Sequence, residues 1–180
     1  GGTEASWDNF VKVFGDLLTA ELINAKAKYL EGLPKVQSWM NANPRTIVHG
    51  DYRMDNLFFR ESDQAIEVAC CDFQAPVRGK GVQDVAYFLS GSIDVDMRRE
   101  HEKALIKRWL YKLEMQGISD YGYEQAWTDY RMGVLMVWTY VVIVGGGMSA
   151  ENERGDSWVE SMVKRSIAAM TDLACLDLLS

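Results

Sequence analysis

The chain has 180 residues, 48% hydrophobic and 25% charged, an ordinary globular composition with enough length for one domain with a real core. Its net charge of −7 argues against a nucleic-acid partner, because phosphate backbones select basic surface. Two histidines and three cysteines are too few for a zinc cluster or a disulfide framework, and free thiols suit a reducing, cytoplasmic setting.

Phe10, Val13, Phe14, Leu17, Leu18 and Leu22 recur at helical spacing. They predict an amphipathic helix running toward Tyr29, with Gly32 and Pro34 as stop signals. Val36, Trp39 and Met40 predict a short second helix, closed by Asn43-Pro44. Thr46-Ile47-Val48 reads as a short strand. Asn56 to Phe59 and Ala65 to Cys71 are β-rich runs joined by a polar stretch, a hairpin signal. Beyond residue 80 the pattern is helical. Asp84 to Leu89 opens one helix, and Leu105, Ile106, Trp109, Leu110 and Leu113 form another that ends at Gly117. Trp127, Tyr130, Val134 and Trp138 mark a third, with Gly145-Gly146-Gly147 as its terminator. Ser157-Trp158-Val159-Glu160 reads as a capping box for the last helix, on which Cys175 is placed. The longest apolar stretch, Val134 to Val144, covers 11 residues and is too short to span a bilayer, so no membrane partner is expected. Arg98-Arg99 and Lys107-Arg108 read as solvated helix face. The helical spacing of Trp109, Trp127, Tyr130 and Trp138 favours core packing over an aromatic box for a cationic ligand.

The chemistry concentrates in His49-Gly50-Asp51-Tyr52-Arg53-Met54-Asp55-Asn56 and in Cys71-Asp72-Phe73-Gln74. The pattern is His-x-Asp, an Asn five residues after that Asp, and a second Asp sixteen residues after the Asn. Phosphoryl transfer needs one carboxylate for the proton of an acceptor hydroxyl, with an amide oxygen and another carboxylate to hold Mg²⁺ on nucleotide phosphates. The hairpin between the motifs predicts that Asn56 and Asp72 lie close in space. A two-metal hydrolase would need Asp-x-His and Gly-Asn-His-Asp, and neither occurs. Cys70 and Cys71 adjoin Asp72, but nothing basic nearby makes either a nucleophile.

These motifs resemble the aminoglycoside phosphotransferase and choline kinase-like superfamily, and within it most closely the ecdysteroid kinase-like group. His-Gly-Asp-x-x-x-x-Asn at 49–56 is similar to its catalytic-loop signature. Cys71-Asp72-Phe73-Gln74 stands where that group has a metal-binding Asp before an aromatic residue. Gly81-Val82-Gln83-Asp84-Val85-Ala86 is similar to its Gly-x-x-Asp-(Leu/Val)-Ala segment. The resemblance is strong over about residues 45–90 and only a helical pattern over 91–180.

What it implies is an α+β, mostly α, protein kinase-like C-terminal lobe with a small catalytic hairpin. Asp51 would act as the catalytic base. Asn56 and Asp72 would bind Mg²⁺ and, through it, ATP as co-substrate. His49 would brace the loop, Arg53 would steady the transferred group, and Asp84 would tie the loop through backbone hydrogen bonds. Asp55 reads as a helical turn or Asx cap. The partner implied is a small hydroxylated substrate. Gly50 in place of Arg, Gln74 in place of Gly, and the lack of Ala-Pro-Glu all separate the chain from protein kinases. No Gly-x-Gly-x-x-Gly occurs, so residues 1–180 read as a C-terminal lobe missing its ATP-clamping N-terminal lobe. Such a lobe alone is expected to be inactive. Two rival readings follow: a catalytically incompetent binding or scaffold domain, and a metal-dependent phosphohydrolase.

Overall fold

The computed structural model describes residues 2–62, 65–148 and 156–179, the last stretch with side chains from residue 158 onward. In chain order the elements are α1 (Gly2–Phe14), a 3-10 turn (Gly15–Leu17), α2 (Ala20–Asn24), α3 (Lys26–Asn41) and β1 (Thr46–Val48). A 3-10 turn (Met54–Asn56) then leads into β2 (Leu57–Glu61), β3 (Ile66–Cys70) and β4 (Val77–Gly79). The rest is α4 (Val82–Gly91), α5 (Val95–Glu114), α6 (Tyr123–Gly146), α7 (Asp156–Asp172) and a closing 3-10 turn (Cys175–Leu179). This is an α+β, mostly helical architecture, as expected for a kinase-like C-lobe.

Two small antiparallel sheets sit on the helical body. β2 pairs with β3, placing Leu57 opposite Cys70 and Glu61 opposite Ile66. β1 pairs with β4 from Thr46–Gly79 to Val48–Val77. The sequence reading missed β4, because three residues, Val77-Arg78-Gly79, directly after a proline carry too little periodicity to register.

α6 is the central helix, buried on nearly every side from Ala126 to Gly145. Trp138 is fully buried and meets Phe10 edge-on at 5.5 Å and Trp7 at 6.4 Å, both from α1. The glycine run at 145–147 does more than end this helix. A Cβ at Gly145 would stand 2.8 Å from the Phe10 ring, and one at Gly146 only 2.2 Å from the Ser6 carbonyl oxygen. Both glycines lie inside α6 because α1 crosses it there at backbone contact distance. Asn9 secures the crossing by donating to the Gly146 carbonyl at 2.7 Å.

Gly32 and Pro34 do not stop α3, which continues through both to Asn41. Helix propensity is overridden by packing: the closing turn lays Leu179 against Gly32, where a Cβ would be only 2.6 Å from Leu179 Cδ2. At Gly117, by contrast, the expected stop is real. Its φ is 87°, and Ile118 and Gly117 donate back to the Leu113 and Glu114 carbonyls, closing α5 in a Schellman motif.

Arg98 is not on a solvated face. It is 1% exposed and pairs with Glu102 one turn on and with Asp172 at the end of α7. The Tyr130 hydroxyl of α6 donates to the same Glu102 at 2.9 Å, so one buried network ties three helices together. Arg99, half exposed, adds a second arm to Asp172. Tyr130 and Trp138 are fully buried, while Trp109 and Trp127 pack partly buried against the core. Cys175 falls in the closing 3-10 turn rather than on the last helix, and burial pushes its thiol up to about 12. The side chain of Ser157, the expected cap, lies outside what the structure describes. No helix among the described residues is long and apolar enough to cross a membrane.

Candidate active site

The loop after β1 is organised from beneath by α4. Asp84, in the first turn of that helix, accepts hydrogen bonds from the backbone amides of His49 (2.8 Å) and Gly50 (3.1 Å). One carboxylate thereby satisfies two consecutive donors and fixes the start of the loop, as the sequence reading expected of Asp84. Gly50 must be glycine. Its φ is 83°, and a Cβ there would stand 2.3 Å from the Ala75 carbonyl oxygen.

His49 is buried and works as a bracket. Its Nδ1 accepts the Asp51 amide at 3.3 Å, while its Nε2 faces the Cys71 carbonyl at 2.8 Å. These two partners select the tautomer with hydrogen on Nε2. The ring also packs against Phe73 at 4.6 Å and Tyr52 at 5.8 Å. His49 therefore joins the loop to the strand end that carries Asp72.

Asp51 is partly buried and held on both oxygens. Asn56 Nδ2 donates to its carbonyl (2.8 Å) and to Oδ2 (3.2 Å). Arg53 Nε lies 3.1 Å from Oδ1. The angle at that nitrogen is too poor for a hydrogen bond, so the Arg53 contact is an ion pair only. Arg53 also reaches Asp55 at 3.7 Å and lies over the Trp158 ring at 5.4 Å. Asp55 sits exposed in the 3-10 turn, as the turn reading expected.

Asn56 is buried, and its amide orientation is set by Asp51. With Nδ2 committed to that residue, Oδ1 is the oxygen left for another partner. Asn56 and Asp72 begin and end the hairpin, and the Cys71 amide donates to the Asn56 carbonyl at 2.9 Å. Asp72 is exposed and has a φ of 61°, in the left-handed region that costs a non-glycine residue about 1 kcal/mol or more. Such strain persists only where surrounding structure over-determines it, and here Cys71 is bonded through both its amide and its carbonyl.

Sequence reasoning missed Tyr87, Trp158 and Arg165. Burial first, then the charge of Asp51 and a hydrogen bond to it, push the Tyr87 phenol far above its ordinary value, so it remains a donor. Tyr87 lies one helical turn after Asp84, a spacing that could have flagged it. Trp158 and Arg165 come from α7, more than a hundred residues from the loop, and no local signal connects them. With Arg53, Asp55 and Met162 these residues line a cavity of about 410 Å³. Arg165 is anchored there by Asp94 at 2.7 Å.

The donor set fits a hard cation shared with phosphate. Asn56 offers an amide oxygen and Asp72 a carboxylate, and Mg²⁺ is typically held by one or two carboxylates plus substrate phosphates. No cluster of three His, Cys, Asp or Glu side chains able to hold a metal unaided exists among the described residues.

Neither a curated protein nor a solved structure matches the chain. The model of the ecdysteroid kinase-like family matches residues 4–118, more than half of the chain. That span holds the loop, the hairpin and Asp84, and it reaches back through α1 to α3. The kinase-like character of the family points to phosphotransfer chemistry. On this match, and with the 49–56 loop, the hairpin and the helix-borne Asp84 joined in one bonded unit, the chain belongs to the ecdysteroid kinase-like family.

Proposed function

We propose that the protein forms the acceptor-side lobe of an ATP-dependent phosphotransferase that moves a γ-phosphoryl group onto the hydroxyl of a small molecule. The observation that carries this reading is the clamped Asp51 carboxylate, held by Asn56 and Arg53 beside a cavity that Tyr87 and Trp158 help to line.

Asp51 receives the acceptor hydroxyl, orients it, and takes its proton as the new bond to phosphorus forms and the bond between the γ-phosphorus and the bridging oxygen breaks, releasing ADP. Arg53, by charge, and the Asn56 amide, by a hydrogen bond, keep that carboxylate from rotating, and the Tyr87 phenol stays protonated beside it. Asn56 Oδ1 and the Asp72 carboxylate would hold Mg²⁺, which would offset phosphate charge and orient the nucleotide. Lowering the barrier is mostly positioning and electrostatics, so the rigidity supplied by Asp84 and His49 serves the chemistry directly.

An ATP-clamping lobe would pack over the hairpin. The support is an exposed apolar surface there: Phe59, Val68 and Ile66 lie on one face of β2–β3 and are 54%, 54% and 68% exposed. The three free cysteines support a reducing, cytoplasmic setting.

The test is ADP release with a panel of hydroxylated acceptors, in a form of the protein that carries the clamping lobe. Asp51→Asn and Asp72→Asn should each lower turnover by orders of magnitude, about 10²-fold or more for loss of a positioned acid–base group. Full activity in Asp51→Asn would exclude it as the base. Phosphate release without any acceptor would favour the hydrolase reading instead.

A further inference from the structure

At the start of β1, the opposite end from Asp51, lies a larger cavity, about 720 Å³, in the size range of small-molecule sites. It is framed by the start of β1, the end of α5 and the segment leading into α6. Lys80, Arg45, Trp109, Leu113, Ile118 and Tyr121 line it. Of the phosphotransfer motifs, one residue reaches the lining: Gly81, at the start of the segment that carries Asp84.

Lys80 is 6% exposed, yet its ammonium group donates only to the Asn43 carbonyl, at 3.2 Å. No carboxylate pairs with it among the described residues. Asp120, the one acidic residue of the lining, stands exposed. An ammonium group has three donors, and a buried cation without a counter-ion is costly. Arg45 contributes a second incomplete cation, its Nε buried without a hydrogen-bond partner.

The remaining wall is aromatic and apolar. Trp109 and Tyr121 meet edge to face at 5.8 Å and 89°. The Tyr121 hydroxyl is committed to Asp129 at 2.8 Å, so the ring is what Tyr121 offers to a ligand. Gly81 keeps the wall open, since a Cβ there would crowd Trp109 at 3.3 Å.

We propose that this cavity is a second ligand site, separate from the phosphotransfer cleft, for a small carboxylate carried on a planar apolar body. The carboxylate would supply the counter-charge that Lys80 lacks and accept from Arg45. The body would lie against Trp109 and Tyr121.

The test is an NMR titration of the intact chain with 2-naphthoate, beside the neutral isostere 2-naphthalenemethanol. The acid should give saturable shifts at the Gly81 amide and the Trp109 indole N–H, and bind at least tenfold more tightly than the alcohol. Lys80→Met should abolish that difference, and Lys80→Arg should retain it. If Lys80→Met fails to fold, the acid-to-alcohol ratio in the unaltered chain decides. Equal affinity for acid and alcohol would overturn the proposal. So would shifts confined to the Asp51 loop or the exposed hairpin, or no saturation at millimolar acid.

Discussion

Asp84, on α4, and Asp51, in the loop it ties, are held in different ways. Asp84 is a structural clamp, because each carboxylate oxygen meets a different backbone amide. Asp84→Asn keeps the shape but turns one acceptor into a donor facing an N–H. Hydrogen bonds to a charged group contribute about 1.5–3 kcal/mol, so the variant should lose about 2 kcal/mol or more. Asp51→Asn should cost less, since the new amide keeps one oxygen for the Asn56 donor and the ion pair it loses with Arg53 is only partly buried. Denaturant melts of the two variants check the contrast; equal losses would contradict it. The grouping of Asp51, Asn56, Asp72 and Asp84 was legible because they lie in three short motifs with fixed spacing. The place of Trp158 was not, since what sets it beside Arg53 is the packing of α7, which no local pattern encodes.

Helix boundaries show where sequence signals lose to tertiary contact. Gly145 and Gly146 carry the same terminator signal as Gly117, yet only Gly117 has a positive φ. In an ordinary helix interior Gly→Ala gains about 0.5–1 kcal/mol from propensity. At Gly146 the added Cβ would lie 2.2 Å from Ser6 backbone, and overpacking of that kind costs about 1–3 kcal/mol. The clash wins, so Gly146→Ala should destabilise. Gly147→Ala, with a φ of −85° and no contact nearer than 3.4 Å, should be near neutral. A pair of thermal melts decides this, and a Tm for Gly146→Ala at or above that of the parent would contradict the crossing of α1 over α6.

Arg98 misled for a related reason, because a charge at a surface-like position reads as solvated unless its partners are known. Its partner Asp172 also gives the fold an acid dependence. The hydrogen bond from Arg99 holds the Asp172 carboxyl below its ordinary value, outweighing burial, and Arg98 adds to the effect. A carboxyl depressed in the folded state contributes stability above its unfolded value, about 3.9, and that contribution is lost as pH falls through the folded value. Melting temperature should therefore fall steeply below about pH 4 in the parent, and Asp172→Asn should be less stable at pH 7 but flatter over the acid range. Parallel acid slopes would show that the pair contributes nothing.

For the whole molecule, composition and periodicity made the helical body readable, and the hairpin with it. What sits on the hairpin was not. Ile47 and Phe73 join Phe59, Ile66 and Val68 as exposed apolar residues around the loop. A patch of that kind marks an interaction surface or an aggregation liability. The chain should self-associate at high concentration, and Phe59→Ser with Ile66→Lys should restore a monomer without lowering Tm by more than a few degrees. Sedimentation velocity reads the first outcome. A parent that stays monomeric throughout would contradict the exposed-face account.

The central claim is that Asn56 and Asp72 form a divalent-metal site on nucleotide phosphate beside Asp51. It is tested most directly by paramagnetic broadening with Mn²⁺ as the probe. The chain is labelled with ¹⁵N and titrated with Mn²⁺ in the presence of millimolar ADP. The account predicts that amide signals of Asp51, Asn56 and Asp72 broaden first, and that Asp72→Asn removes the effect while leaving the rest of the spectrum intact. Broadening spread over surface carboxylates, or unchanged in Asp72→Asn, would contradict it.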